Sequence, residues 1–304
     1  MYYFILNPSS HSRGSRSVWR QVSSVLKARG IDYKVFASKH AGQSREIAAR
    51  VTERDPAATV IAVGGDGTIH DVLCGITNVS TIRFGVIPSG SGNDFARGMG
   101  IAQDPMTALE AILSPKKTIL MDVGCLTDRE VPERFGVSAG IGYDASVCHE
   151  ALSSPIKNAL NGIGLGSLTY GIIAAKQIVM YRPGRLSVSL DGQAPIVFDK
   201  AYFAAVFNQR FEGGGMEMVP GADPGDGILN VFVVSDISRL FLVTMMPLAY
   251  FAAHTRLPGL HFYTCRSVKI EADQPRPIHL DGESGGVHSS LSVSSLSEKL
   301  QVIV

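Results

Sequence analysis

Hydrophobic and polar positions follow two different rhythms along this chain. From the N-terminus to about residue 124, short apolar runs alternate with stretches whose apolar residues recur at helical spacing. Tyr3–Leu6 reads as a first strand, followed by a polar loop from Asn7 to Ser15. Val18, Val22, Val25 and Leu26 then mark one face of a helix. Ile31–Ala37 reads as a strand and Ser44–Thr52 as a helix with Ile47, Ala48 and Val51 inward. Thr59–Val63 and Arg83–Ile87 read as buried strands, each emptying into a glycine-rich loop. Helices are expected over about Ile69–Ile76, Asp94–Met99 and Thr107–Leu113. Strands alternating with helices predict a parallel α/β sheet, which binds ligands at the C-terminal ends of its strands.

The second rhythm begins near residue 120. Met121–Leu126, Glu133–Ala139, Leu186–Leu190, Ile196–Val206, Gly227–Val234 and Ser267–Ala272 read as strands without intervening helices. Asp191-Gly192 and Asp226-Gly227 are turn signals among them. One helical insertion is expected over about Ser154–Met180, weakened by Gly162, Gly164 and Gly166. The expected organisation is an α/β domain over 1–123 followed by a β-rich domain over 124–288, with the tail 289–304 returning to the first. Leu240 to Ala253 is the longest uncharged apolar stretch. It falls short of the about 20 residues a membrane span needs. It reads as a core or interdomain helix, with an apolar surface for a lipid or bilayer as the alternative.

Composition narrows the classes. A chain of 304 residues with 45% hydrophobic and 18% charged residues can bury a large core in two domains. A net charge of +1 without a basic run argues against a nucleic-acid partner. Cys74, Cys125, Cys148 and Cys265 share no metal-ligand spacing and read as reduced, mostly buried thiols of a cytosolic protein. The opening Met1-Tyr2-Tyr3-Phe4-Ile5-Leu6 lacks the basic start of a signal peptide.

The candidate chemistry lies where strands end. Gly64-Gly65-Asp66-Gly67-Thr68 follows one strand, and Ser89-Gly90-Ser91-Gly92-Asn93-Asp94 follows the next. Glycines let backbone N–H groups crowd an anion, because no Cβ blocks the approach. Aspartates beside that anion suit Mg²⁺. The first loop is neither a P-loop nor a dinucleotide fingerprint, since GxxxxGK[ST] and GxGxxG are both missing there. The plainer reading is a tight strand-to-helix turn. A third cluster runs from Gly213-Gly214-Gly215 to Asp223, Asp226, Gly227 and Ile228. It is either a wide loop with a hairpin turn or a hard-cation site using Asp223 and Asp226 with backbone carbonyls. The fourth, Asp281-Gly282-Glu283, is either a solvated turn or the seat of a general base.

These motifs, in this order, with Asn7-Pro8 ahead of them, Asn93-Asp94-Phe95-Ala96-Arg97 closing the second loop and Gly140-Ile141-Gly142-Tyr143-Asp144-Ala145 between, carry a resemblance. The chain resembles the diacylglycerol kinase-type lipid kinases, in their soluble bacterial branch, related to sphingosine kinases and NAD kinases. The resemblance implies an α/β nucleotide-binding domain, a β-sandwich domain and an active site in the cleft between them. It implies ATP as co-substrate, held by Asn7, Pro8, Ser38, Gly64, Gly65, Asp66, Gly67, Thr68, Ile69, His70 and Ser91, and Mg²⁺ handled by Asp66 and Asp94. Glu283 matches the proton acceptor, and Asp223, Asp226 and Ile228 match a second, structural Mg²⁺ site. The first loop, Ser9 to Ser15, is poorer in glycine than the family pattern, and Arg13 or Arg16 is expected to assist there. The implied acceptor is a lipid alcohol, in the cytoplasm or at the membrane periphery, with a homo-oligomer left open. A kinase of a soluble substrate, such as NAD⁺ or fructose 6-phosphate, and a non-catalytic nucleotide- or lipid-binding regulator are the rivals.

Overall fold

A strand that is apolar on both faces needs cover on both faces. Three strands here are of that kind: β1 (Tyr2–Leu6), β3 (Thr59–Gly64) and β4 (Arg83–Pro88) are buried almost throughout. β2 (Tyr33–Ala37) is half exposed and forms the edge. The computed structural model describes residues 1–8, 14–129, 133–153, 173, 174 and 176–304. They form two units, Met1–Val123 with Ser297–Val304 and Gly124–Leu296.

In unit 1 the strands run in the order β2-β1-β3-β4-β17-β5, with β5 (Thr118–Met121) and β17 (Leu300–Ile303) the last two. The first four are parallel, and β17 adds parallel to β4 and antiparallel to β5. α1 (Gly14–Ala28) and α5 (Pro105–Leu113) cover the face that carries Phe4, Leu6, Ile61, Val63, Ile87 and Ile303. α2 (Gln43–Arg54) and α3 (Asp66–Gly75) pack together and against β1 and β3. α3 starts earlier than its apolar spacing suggests. The Gly65 carbonyl accepts from the N–H groups of Thr68 at 3.0 Å and Ile69 at 3.1 Å, which draws Asp66, Gly67 and Thr68 into the first helical turn.

The expected strand Met121–Leu126 is broken in two, between β5 and β6 (Gly124–Leu126). Asp122 sits at the break, buried, and pairs with Lys299 at 3.0 Å. Of the expected tail, residues 289–296 run in β16 (Glu283–Ser295) and its exit in unit 2, and Ser297–Val304 lie in unit 1.

Unit 2 is β-rich, as expected. β8 (Ser138–Gly142) is central, flanked by β10 (Ile196–Phe207) and β15 (Ser267–Leu280). β10 and β15 also share β9 (Gly184–Leu190). Each long strand changes partner along its length. β10 pairs with β9 up to Ala201 and with β8 from Phe203; β15 pairs with β9 up to Ala272 and with β8 from Ile278. Register shifts fall at those changeovers, where a bulge bends the strand. The sheet thereby folds around a core containing Phe135, Ile141, Leu186, Val231, Ile278 and Leu291. β13 (Leu229–Ser235) and β14 (Leu260–Cys265) extend one side, and β16, β6 and β7 (Arg134–Phe135) extend the other.

Unit 2 departs from expectation in its helices. α6 (Tyr143–Ser153) interrupts the strands where no helix is expected, and α7 (Arg239–Ala249) lies in the Leu240–Ala253 stretch read as a helix. Most of the expected insertion 154–180 lies outside the described residues; residues 173, 174 and 176–180 are helical. α7 is also not a core helix throughout. Leu242, Met245 and Ala249 are buried, but Leu240, Val243, Leu248, Tyr250 and Phe251 are exposed.

β17 is an inner strand of its sheet although it comes last in the chain. Leu300 is fully buried. Leu300→Ala should therefore cost about 2–5 kcal/mol of stability, read as a lowered urea midpoint in equilibrium unfolding.

Candidate functional site

The two glycine loops meet. β3 and β4 are paired in register, Gly64 opposite Pro88, so their C-terminal ends are level. The Ser89 N–H donates to the Gly64 carbonyl at 2.9 Å and carries the pairing one residue past the strand. Beyond it, Gly65 and Gly90 press backbone to backbone. A Cβ on Gly90 would lie 2.6 Å from the Gly65 Cα and 2.9 Å from the Asn93 Oδ1. A side chain on Gly90 has no room there, and one on Gly65, its Cβ 3.1 Å from the Gly90 Cα, would press on that backbone.

The polar residues brace this contact. Asn93 takes the left-handed conformation, accepts from the Gly90 N–H at 3.0 Å and donates back to the Gly90 carbonyl at 3.2 Å. Asp66 Oδ1 accepts from the Phe95 N–H at 3.1 Å, in the first turn of α4 (Asp94–Gly98). Asp66 thus ties the first loop to the second. Asp94 is buried beside that bond. Ser15, buried at the start of α1, places its Oγ 2.9 Å from the Ser89 Oγ.

The remaining expected nucleotide contacts are placed unevenly. Gly67 is half exposed, and Thr68 and Ile69 are buried in α3. The Thr68 side chain folds over Gly64, where a Cβ would lie 2.5 Å from it. His70 is half-buried, its Nε2 3.7 Å from the Cys74 Sγ. Its neighbour Asp71 has its carboxyl pushed up by burial, against the pull of His70 and Arg45. Asn7 and Pro8 follow β1 and are half exposed, and Ser91 is exposed. Ser38 is buried with its Oγ 3.4 Å from the Leu6 carbonyl. Its hydroxyl faces the end of β1 rather than solvent. The first loop from Ser9 to Arg13 lies outside the described residues.

In unit 2, Asp281-Gly282 is a hairpin turn rather than an open polar loop. Both residues have positive φ, 51° and 83°, as a two-residue turn of the primed type requires, and Leu280 faces Glu283 across it. Asp281 is consumed by structure. Its carboxylate accepts from the N–H groups of Gly136 at 3.0 Å, Val137 at 2.7 Å and Ser138 at 3.1 Å. Glu283 follows as the half-buried first residue of β16. The two carboxylates of one short motif thus have separate tasks.

A cluster that the sequence reading did not assign lies beside this turn. His279, fully buried, places Nε2 3.1 Å from Asp144 Oδ2 and 3.4 Å from Glu212 Oε1. Its Nδ1 lies 3.4 Å from the Gly282 N–H. The Ser138 hydroxyl donates to the same Glu212 oxygen at 2.8 Å. Burial of the ring opposes its charge, but Glu212, Asp144 and Asp281 outweigh that and push its pKa up to about 9. The pair also explains Gly140, because a Cβ there would lie 2.2 Å from Asp144 Oδ2 and 2.5 Å from His279 Nε2. The signal available in the sequence was Asp144 itself, directly after a glycine-rich strand; its partner 135 residues later has no local signature.

The Asp223–Ile228 segment carries two local turns. Asp223 Oδ1 accepts from the Gly225 N–H and Asp226 Oδ1 from the Ile228 N–H, both at 2.9 Å. Among the described residues, no group of three or more His, Cys, Asp or Glu side chains is arranged to hold a metal ion. A cation at Asp223, Asp226 and Ile228 would therefore rely on backbone carbonyls.

Comparison with known proteins agrees with this layout. Residues 1–126 match the diacylglycerol kinase catalytic domain, and 137–304 match the YegS C-terminal NAD kinase beta sandwich-like domain. The provisionally named lipid kinase YtlR of Bacillus subtilis is 27% identical over 290 residues, 94% of each chain. A diacylglycerol kinase of Mycobacterium tuberculosis is 29% identical over 88% of this chain and 86% of its own. The crystal structure of a diacylglycerol kinase from Bacillus anthracis superposes with a TM-score of 0.69 at 18% identity, over 99% of this chain and 96% of that one. An ATP complex of an NAD kinase from Archaeoglobus fulgidus reaches 0.55 at 11% identity, over 100% and 94%.

The raised pKa of His279 has a definite consequence for stability. The unfolded ring titrates near 6.5 and the folded one near 9. The ring's contribution is thus complete below about pH 6.5 and is lost as pH rises through about 9. Urea unfolding from pH 6 to 10 should show wild type losing stability relative to His279→Asn across that window. Parallel curves would exclude a charged His279.

Proposed function

Because the chain belongs to the diacylglycerol kinase catalytic-domain family, with the YegS-type β-sandwich-like domain following in sequence, we propose that it transfers the γ-phosphate of ATP to the hydroxyl of a lipid alcohol such as diacylglycerol. The observation that carries this reading is the contact of Gly65 with Gly90, with Asp66 bonded into the turn that begins at Asp94. Glycines at Gly64, Gly65, Gly67, Gly90 and Gly92 leave room for the phosphates of ATP to approach the backbone. The donor set also fits Mg²⁺, which Asp66 and Asp94 would hold; when bound, the ion offsets the negative charge of the phosphates. Gly64 to His70, with Asn7, Pro8, Ser38 and Ser91, complete the nucleotide's surroundings in this reading.

Glu283 is the base. As the acceptor oxygen attacks the γ-phosphorus, its proton passes to the Glu283 carboxylate. The bond from that phosphorus to the bridging oxygen breaks, and ADP leaves with the electron pair. Asp281 and His279 are positioning residues. Asp281 fixes the turn through Gly136, Val137 and Ser138, and His279, just before it, is held through Asp144 and Glu212, so together they fix where Glu283 starts. The second-domain cation at Asp223, Asp226 and Ile228 has a structural role here. A soluble acceptor of the NAD⁺ type is the alternative, supported by the shared fold with an NAD kinase.

Mass spectrometry of a lipid extract incubated with the protein and labelled ATP tests the acceptor class. A labelled phospholipid is expected; label on NAD⁺ alone would reverse the reading. Glu283→Gln should lower transfer by about 10²–10⁴-fold while nucleotide binding persists in calorimetry. Asp66→Asn should be as damaging, with an altered Mg²⁺ dependence that Glu283→Gln does not share.

A further inference from the structure

The hairpin that carries Glu283 is interrupted just before its tip. β15 and β16 pair Pro277 with Val287 and then His279 with Ser284, so two steps on one strand meet three on the other. The bulge this makes holds Gly285 and Gly286, and Gly286 is left-handed at φ 85°. Pro277, beside it, has no N–H to give to the ladder. Beyond the bulge the strands pair only at His279–Ser284 and Leu280–Glu283 before the Asp281-Gly282 turn. The two strands are not held equally there. β15 is also paired with β8, through Ile278, His279 and Leu280. Among the described residues β16 has a second strand neighbour, β6, only at its far end, Val293 to Ser295. The first residues of β16 therefore hang from β15 through a disrupted ladder.

One side chain spans the break. His149 of α6 places Nε2 2.7 Å from the Ile278 carbonyl on β15 and 3.0 Å from the Ser284 Oγ on β16. A carbonyl oxygen can only accept, so Nε2 carries the proton and both oxygens share it. The Ser284 Oγ also accepts from the Gly286 N–H at 3.4 Å, inside the bulge. His279 and Ser284 face each other across the ladder and so share one face, which α6 covers: Asp144 of the same helix meets His279 there. Glu283, the next residue, points to the opposite face. α6 thus grips the hairpin from behind while its other side presents the carboxylate.

We propose that His149 is a positioning residue for Glu283. By bridging Ile278 and Ser284 it closes the break in the ladder and fixes the strand from which the Glu283 carboxylate reaches the acceptor hydroxyl. The inference rests on the kinase reading for the role of Glu283, whereas the clamp rests on the bonds alone. It adds a contact that Asp281 and His279 do not supply, because those two hold the turn and β15, and His149 holds β16.

The test pairs a variant that removes the bridge with one that keeps it. His149→Leu fills the space without a donor, and His149→Gln returns an amide N–H near the lost Nε2. Hydrogen–deuterium exchange of the full chain reads the clamp without any acceptor. Peptides covering Ile278 to Val287 should exchange faster in His149→Leu than in wild type, and His149→Gln should restore most of the protection. Transfer of label from ATP into a lipid extract reads the consequence. His149→Leu should lower it about 10–100-fold, as a misplaced catalytic group does. The KM for ATP and the thermal midpoint should stay unchanged, and His149→Gln should recover most of the loss. In the Glu283→Gln background, His149→Leu should change the residual rate less than about 2-fold, since an absent base cannot be misplaced. Unchanged exchange in His149→Leu overturns the proposal. So does a loss of transfer repeated in full in the Glu283→Gln background, which would mark general damage to the fold. Faster exchange in His149→Leu, with Glu283→Gln as active as wild type or with no lipid labelled by wild type, would uphold the clamp and sink the kinase reading of Glu283 instead.

Discussion

The contact between Gly65 and Gly90 is the constraint on which the first unit's chemistry depends. Two parallel strands in register deliver two loops to the same level, and the loops can meet only if neither carries a side chain at the crossing. The consequence is electrostatic as well as steric. Without Cβ atoms at the crossing, an anion can approach the backbone there closely. The acidic residues around the crossing are held by the backbone itself. Asp66 opens α3 and caps the next turn through Phe95, and Asn93 closes its own loop through both polar atoms of Gly90. An aspartate between glycines repels a phosphate unless a cation intervenes.

The second unit uses one device twice. Asp191-Gly192 and Asp281-Gly282 are both left-handed turns, and in both the aspartate carboxylate reaches beyond its own hairpin. Asp191 accepts from the N–H groups of Arg266 and Ser267, each at 2.8 Å, and Asp281 accepts from three N–H groups at Gly136 to Ser138. Hydrogen bonds to an ionised acceptor are roughly twice as strong as neutral ones. The turns are thus fastened to neighbouring segments, and a residue following such a turn inherits its position. Glu283 is that residue in the second case. The buried imidazole of His279 adds a second fastening, through Asp144 and Glu212.

The same unit leaves part of its apolar surface uncovered. α7 buries three side chains against the sheet and leaves Leu240, Val243 and Leu248 exposed, as are Tyr250 and Phe251 just past its end. Folding alone gives no return for that exposure, since apolar surface gains free energy only when removed from water.

Sequence alone determined the alternation of strands and helices in the first 120 residues, the change to β structure after them, and the two glycine loops. Each of these is written in neighbouring residues, through a periodicity or a turn preference that needs no distant partner. The buried runs Thr59–Val63 and Arg83–Ile87 are legible because a strand covered on both faces is apolar throughout. β14 was not legible as a strand, and β16 was legible only as strand-like pieces after Ser289. β16 is largely serine and glycine, and only Leu291 and Val293 mark its inward face. Tertiary structure decided what each acidic residue does. Asp281 and Glu283 look equivalent in the sequence, yet one spends its carboxylate on three backbone N–H groups from a segment about 145 residues away. It also decided that His279 meets Asp144 and that half of an apolar helix faces water. Pairings across such distances depend on which strands lie side by side, and that is fixed by the packing of the whole sheet rather than by any local stretch of chain.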